Sequence, residues 1–137
     1  MEKITPINEE YIYKGNVMIS QTDLDGVINY ANRMFCKVSG YRASELISHN
    51  HNMLKHPEMP NAVFIKMWDT LKGGQTWNGL LKNLRKDGKY YWVDTEILPV
   101  KDINNNMIGY ISVRKPASRK GIQENKTIYQ KMLEAQK

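Results

Sequence analysis

Residues 49–77 read HNHNMLKHPEMPNAVFIKMWDTLKGGQTW, and the rest of the chain is organised around them. All three histidines fall here (His49, His51, His56), together with two of the three tryptophans, Trp68 and Trp77. Val63, Phe64, Met67, Trp68 and Leu71 repeat at the spacing that puts side chains on one stripe of a helix. Pro60 suits the first turn, where a missing N–H costs nothing, and Gly73-Gly74 ends the helix. An imidazole-rich loop therefore leads into an apolar helix, and an indole-bearing strand follows. That arrangement suits a pocket for a planar aromatic ligand. The same spacing also serves a plain hydrophobic core, and a His-Pro before a helix also serves as a turn.

Outward from this stretch the periodicity changes. Upstream, Val17–Gln21 reads as a strand, Asp25-Gly26 as a hairpin turn and Val27–Ala31 as the partner strand. Asn32 is placed to cap a helix that stops at Ser39-Gly40, and Ser44-Glu45 starts a short helix within Tyr41–Ile47. Downstream, residues 77–84 alternate with period two. Trp77, Gly79, Leu81 and Asn83 share one face. Lys86-Asp87-Gly88-Lys89 is a second hairpin turn, Tyr90–Val100 a long strand, Asp102–Asn106 a polar turn and Met107–Arg114 the last strand. Two strands before the helices and three after must join one sheet to give a single core. The helices then cover one face and leave a cavity under the long helix. Residues 119–136 form another helix with a thin apolar stripe, which needs a partner surface.

Size and composition bound the function. A chain of 137 residues with 41% hydrophobic and 25% charged residues suits one folded domain. No apolar run reaches the ~20 residues that span a bilayer, and no leader pattern opens the chain. The single cysteine, Cys36, pairs with none, so a cytoplasmic setting is expected. The net charge of +6 comes from scattered lysines rather than an arginine-rich helix, so no nucleic-acid partner is expected. No phosphate loop or nucleophile elbow is present, which argues against an enzyme.

Particular motifs carry a family resemblance. The run Asp23–Asn32, then Val38–Tyr41 with Glu45-Leu46, His56-Pro57-Glu58, Lys86-Asp87-Gly88, Tyr91–Val93, Leu98–Val100 and Gly109-Tyr110 resemble a PAS domain over about residues 17–115. His51–Pro60 with Met67-Trp68, Trp77–Gly79 and Lys82-Asn83 resembles more narrowly the FAD-binding PAS domain of bacterial aerotaxis receptors. The resemblance implies an α+β PAS fold: a five-stranded antiparallel sheet with helices on one face enclosing a cofactor pocket. It divides the chain into an N-terminal cap (1–16), a PAS sensor domain (17–116) and a C-terminal signalling helix (117–137). It implies non-covalent FAD, a redox or energy-taxis sensor, a homodimer, and relay by protein contact to a membrane-bound chemotaxis transducer, without insertion of this chain into the membrane. It assigns Lys55, His56 and Glu58 to the cofactor-binding loop. Lysine at 55 keeps charge but lacks the bidentate fork of arginine.

The residues themselves add roles. Trp77 and Trp68 supply aromatic surface, and Asn83 can donate and accept at the edge of a flavin. Lys55, His56 and His51 suit the ribityl or pyrophosphate part. Glu58 serves either there or as a helix cap, and Asn32 either as cap or as pocket wall. Thiol-adduct photochemistry is not expected, because the loop at 50–55 has no cysteine. The alternative is a PAS module for haem or another metabolite, or one that only pairs proteins. Haem is less well served, since residues 61–72 hold no histidine.

Overall fold

The computed structural model describes residues 3–136. Its core is a five-stranded antiparallel sheet in the order β2-β1-β5-β4-β3. The strands are β1 (Met18–Thr22), β2 (Ile28–Ala31), β3 (Trp77–Leu84), β4 (Tyr90–Lys101) and β5 (Met107–Pro116). Between β2 and β3 come α1 (Arg33–Ser39), α2 (Ala43–Leu46), a single 3-10 turn (His51–Leu54) and α3 (Asn61–Lys72); α4 (Arg119–Gln136) follows β5. The last strand runs through Pro116 rather than stopping before it, and Pro60 caps α3 from outside rather than lying in its first turn.

Aspartates shape the three hairpin turns. Asp23 Oδ1 accepts from the N–H groups of Asp25 and Val27, Asp87 Oδ1 from Lys89, and Asp102 Oδ1 from Asn104 and Asn106. Asn32 ties the helices to the sheet. Its Oδ1 accepts from the Phe35 N–H at 2.9 Å and from the Ile19 N–H at 3.1 Å, while its Nδ2 donates to the Val17 carbonyl at 3.1 Å. One side chain thus starts α1 and pins that start to β1.

Alternation along the strands decides which side chains meet the helices. Met18 and Ser20 on β1, Leu81 and Asn83 on β3, Tyr91, Val93, Thr95 and Ile97 on β4, and Tyr110, Ser112 and Arg114 on β5 are all buried, and several line a cavity that α3 covers. Phe35, Leu46, Leu54, Met59, Val63 and Leu71 close the apolar core over that face. The opposite face of β3 and β4 is covered by α4. Ile122 is buried there, the Tyr129 ring stacks on Trp92, and the Tyr129 hydroxyl donates to the Leu80 carbonyl at 2.7 Å. This supplies the partner that the thin apolar stripe of α4 requires. The N-terminal segment runs beside the start of β4, with Tyr11 N–H donating to the Tyr90 carbonyl at 2.7 Å. Arg119 of α4 grips that segment through a two-pronged contact with Glu10 at 2.6 and 2.9 Å.

Candidate functional site

A cavity of about 370 Å³ lies between α3 and the inner face of the sheet. This is at the small end of the range that takes small molecules. One wall is apolar and comes from α3: Phe64, Met67, Trp68 and Leu71. Leu81, Ile97 and Tyr110 face it from the sheet, and the rings of Trp68 and Tyr110 meet edge to face with centroids 5.5 Å apart. The two aromatic groups lock each other, so the slot is pre-shaped for something flat.

The polar end lies where β3 and β5 approach the 3-10 turn. Asn83, Ser112, Arg114 and His51 meet there. Asn83 is 3% exposed; because a guanidinium only donates and a carbonyl only accepts, its amide oxygen is assigned to the Arg114 side at 2.6 Å and its nitrogen to the Leu54 carbonyl at 3.3 Å. Its neighbour across the β3–β4 ladder is Tyr91, and the amide's remaining N–H and lone pair are open to that phenol or to another molecule. Arg114 is also buried. It donates to Ser112 Oγ at 2.9 Å, and its terminal nitrogen stands 3.5 Å from His51 Nδ1. A guanidinium has no acceptor, so Nδ1 carries no proton, and Nε2–H donates to Ser20 Oγ at 3.0 Å. Burial, and then the Arg114 charge, hold the His51 pKa well below its usual value, which keeps the ring neutral.

The mouth is formed by the β1–β2 turn and residues 50–55. Backbone bridges Val27–Asn50 and Lys55–Asn83 fasten that loop to the sheet on both sides. The His51 N–H donates to the Gly26 carbonyl at 2.9 Å, and Asn50 Nδ2 donates to the Asp25 carbonyl at 2.9 Å. Lys55 stands at the rim, its ammonium 3.1 Å from Asn61 Oδ1 and 4.6 Å from the centre of the Phe64 ring. Asp25 and Asn52 are the solvent-exposed members of the wall.

Four of the eight residues singled out in the sequence therefore meet at this cavity: Asn83, Trp68, Lys55 and His51. The other four do not border it. Trp77 shares a strand face with Asn83, but its indole folds back over Gly79, where an added Cβ would lie 2.5 Å from the ring. Asn32 has both ends of its amide engaged in joining α1 to β1. His56 is 2% exposed and sits beneath its own turn, with Nδ1 accepting from the Glu58 N–H at 3.1 Å and its ring edge-on to Tyr90. Burial, with the Lys82 charge added, pulls its pKa down to about 4, and nearby Glu58 only partly offsets this. Glu58 points to the other side of the sheet and lies 3.6 Å from Lys82. Arg114 is the functional candidate that sequence reading passed over. The available signal was its parity: it alternates with Tyr110 and Ser112, so a charged residue was aimed inward.

The geometry can be set beside known proteins. A family model described as PAS fold matches residues 28–114. The chain is 42% identical over 112 residues to the aerotaxis receptor of Escherichia coli (strain K12), covering 82% of this chain and 22% of the receptor. It is 35% identical over 107 residues to the nitrogen fixation regulatory protein of Klebsiella oxytoca, covering 78% of this chain and 22% of that protein. The chain thus spans about a fifth of each relative's length. Among solved structures, one described as "Flavin Analogue Sheds Light on Light-Oxygen-Voltage Domain Mechanism" superposes with a TM-score of 0.70 at 29% identity, covering 82% of this chain and 86% of that one. The dark structure of the blue-light photoreceptor Aureochrome1 LOV gives a TM-score of 0.69 at 25% identity, covering 83% and 86%.

Proposed function

This chain belongs to the PAS fold family, and from that premise we propose that its cavity is a slot for the ring system of FAD and that the domain is a redox sensor. One observation carries the reading: a flat apolar slot between Trp68 and the sheet ends in a cluster of hydrogen-bonding groups around Asn83. An isoalloxazine has apolar faces and a polar edge, which suits that division. The cavity has room for the ring but not for a whole dinucleotide, so the ribityl and pyrophosphate parts would leave through the mouth past Asn50, Asn52 and Lys55. There Lys55 offers a point charge to phosphate. The cofactor supplies reversible electron storage, and the protein's part is to bind, orient and report. Cys36, on α1, is not on the cavity wall, so adduct chemistry at that thiol has no support.

Relay follows from the packing of α4. Tyr129 holds the back of β3 at Leu80, beside the Leu81 and Asn83 positions that face the slot. Gln136, at the far end of α4, accepts from the Asn61 N–H at 2.9 Å, and Asn61 in turn meets Lys55. A change of charge in the slot therefore reaches α4 from two sides. We take the receiver to be a chemotaxis transducer or another signalling domain, with this domain paired as a homodimer. Purified protein is expected to be yellow, or to become so with FAD, and to bleach reversibly with dithionite. Asn83→Ala is expected to weaken FAD binding about tenfold, the worth of about 1.4 kcal/mol in lost hydrogen bonds, in a flavin-fluorescence titration. A colourless protein that stays colourless with FAD sinks the reading.

A further inference from the structure

Arg114 is a buried cation, 3% exposed. Arg42, Arg85 and Arg119 each hold a carboxylate, whereas among the described residues none lies within ion-pair distance of Arg114. The groups that face it are Ser112 on its own strand, Asn83 from β3, His51 from the 3-10 turn, Tyr91 and Thr95 from β4 and the Phe35 ring from α1. Every one is neutral. Tyr91 cannot serve as the counter-ion, because burial pushes its phenol up to about 12. The Thr95 hydroxyl, on the residue paired with Arg114 across the β4–β5 ladder, is buried without any partner among the described residues. Burial pulls the guanidinium pKa down to about 10, which leaves it charged. A desolvated charge of this kind is costly unless something completes it. Arg114 also borders the cavity, so what completes it can enter there.

We infer that Arg114 is the anion receptor of the slot and holds the negative charge that the bound ring gains on reduction, so that this residue sets the cofactor's potential. The inference rests on the flavin reading above. Full reduction by a soluble reductant delivers two electrons, with one proton from solvent, and leaves one net negative charge on the ring. An opposite charge within hydrogen-bonding reach favours that charged form. The oxidised ring is neutral and gains much less from the guanidinium. Asn83 is fixed by the same group, since its oxygen accepts from Arg114 and its amide is thereby oriented. Arg114 thus both positions the reader of the ring edge and supplies the charge.

The test compares wild type, Arg114→Gln and Arg114→Lys, each as the whole 137-residue chain loaded with FAD. Affinity for oxidised FAD is measured by titration and the midpoint potential by anaerobic dye equilibration. R114Q is expected to weaken oxidised FAD binding by up to about tenfold, as Asn83→Ala does, because Asn83 loses the partner that orients it. It should lose reduced FAD about tenfold more strongly, a midpoint about 30 mV more negative for a two-electron couple. R114K, which keeps the charge, is expected to retain more than half of that preference. If R114Q does not fold by circular dichroism, Arg114→Met, apolar and of similar length, carries the same comparison. A yellow R114Q or R114M with the wild-type midpoint overturns the inference and leaves the flavin reading standing. A colourless wild type removes both.

Discussion

Gly109→Ala is expected to cost about 4 kcal/mol or more in folding free energy. A Cβ at this position would stand 2.1 Å from the Thr22 carbonyl oxygen, 3.2 Å from its carbon and 3.4 Å from Asp23 Cα. All three are backbone atoms, so no rotamer change relieves the clash. Relief requires β1 and β5 to part where Thr22 pairs with Tyr110. Both of those residues line the cavity, and Tyr110 is the ring that locks Trp68. Against a typical total of about 5–15 kcal/mol, such a loss removes a large share of the stability. Urea denaturation by circular dichroism measures it. Gly74→Ala is the control: it has a positive φ of 82° but nothing within 4 Å of its Cβ. It is expected to cost only about 1 kcal/mol. Equal, small losses for the two would mean that the β1–β5 crossing is looser than described.

The strands, the turns and α3 could be read in the sequence because each has a local cause. Aspartate-glycine turns, the Asn32 cap and a helical stripe between a proline and two glycines need no knowledge of distant residues. Period-two alternation also placed Asn83 on the inner face, where the cavity is. Trp77 shows the limit of that argument. Parity fixes the face of a strand but not the direction in which a side chain lies along it. Gly79, two residues on, leaves bare backbone that the indole covers. The family resemblance assigns His56 to the cofactor-binding loop. Its place beneath the Glu58 turn depends on Tyr90, more than thirty positions away in sequence. Arg114 carried a readable signal in its inward parity. Its want of a counter-ion appears only when five strands and a loop are assembled around it. Local chemistry thus fixes elements and faces, whereas the pairing of buried charges is a property of the whole fold.

The same loop makes the protein acid-sensitive in a defined window. His56 has a folded-state pKa of about 4, against about 6.5 in an unfolded chain. Its pKa is depressed, so between those values the unfolded state binds more protons than the folded one. Stability therefore rises with pH across the window, is complete above about pH 6.5, and falls as pH drops toward about 4. The full difference corresponds to about 3 kcal/mol, of which about 2 kcal/mol should be lost between about pH 6.5 and about pH 5. His51 is shifted in the same direction and steepens the fall. Glu45, with a pKa near 2, loses its partners only in stronger acid, so it does not confuse the window. Protonating His56 also removes the acceptor of the Glu58 N–H and places a cation beside Lys82. The turn that carries Lys55 and leads into α3 is then the part that opens. Denaturant midpoints at about pH 7 and about pH 5 measure the loss, and His56→Asn isolates it, since the amide oxygen of asparagine keeps an acceptor near the Nδ1 position but does not titrate. The variant is expected to lose about 2 kcal/mol less than wild type over that interval. Parallel losses in the two proteins would show that His56 is not held neutral beneath its turn.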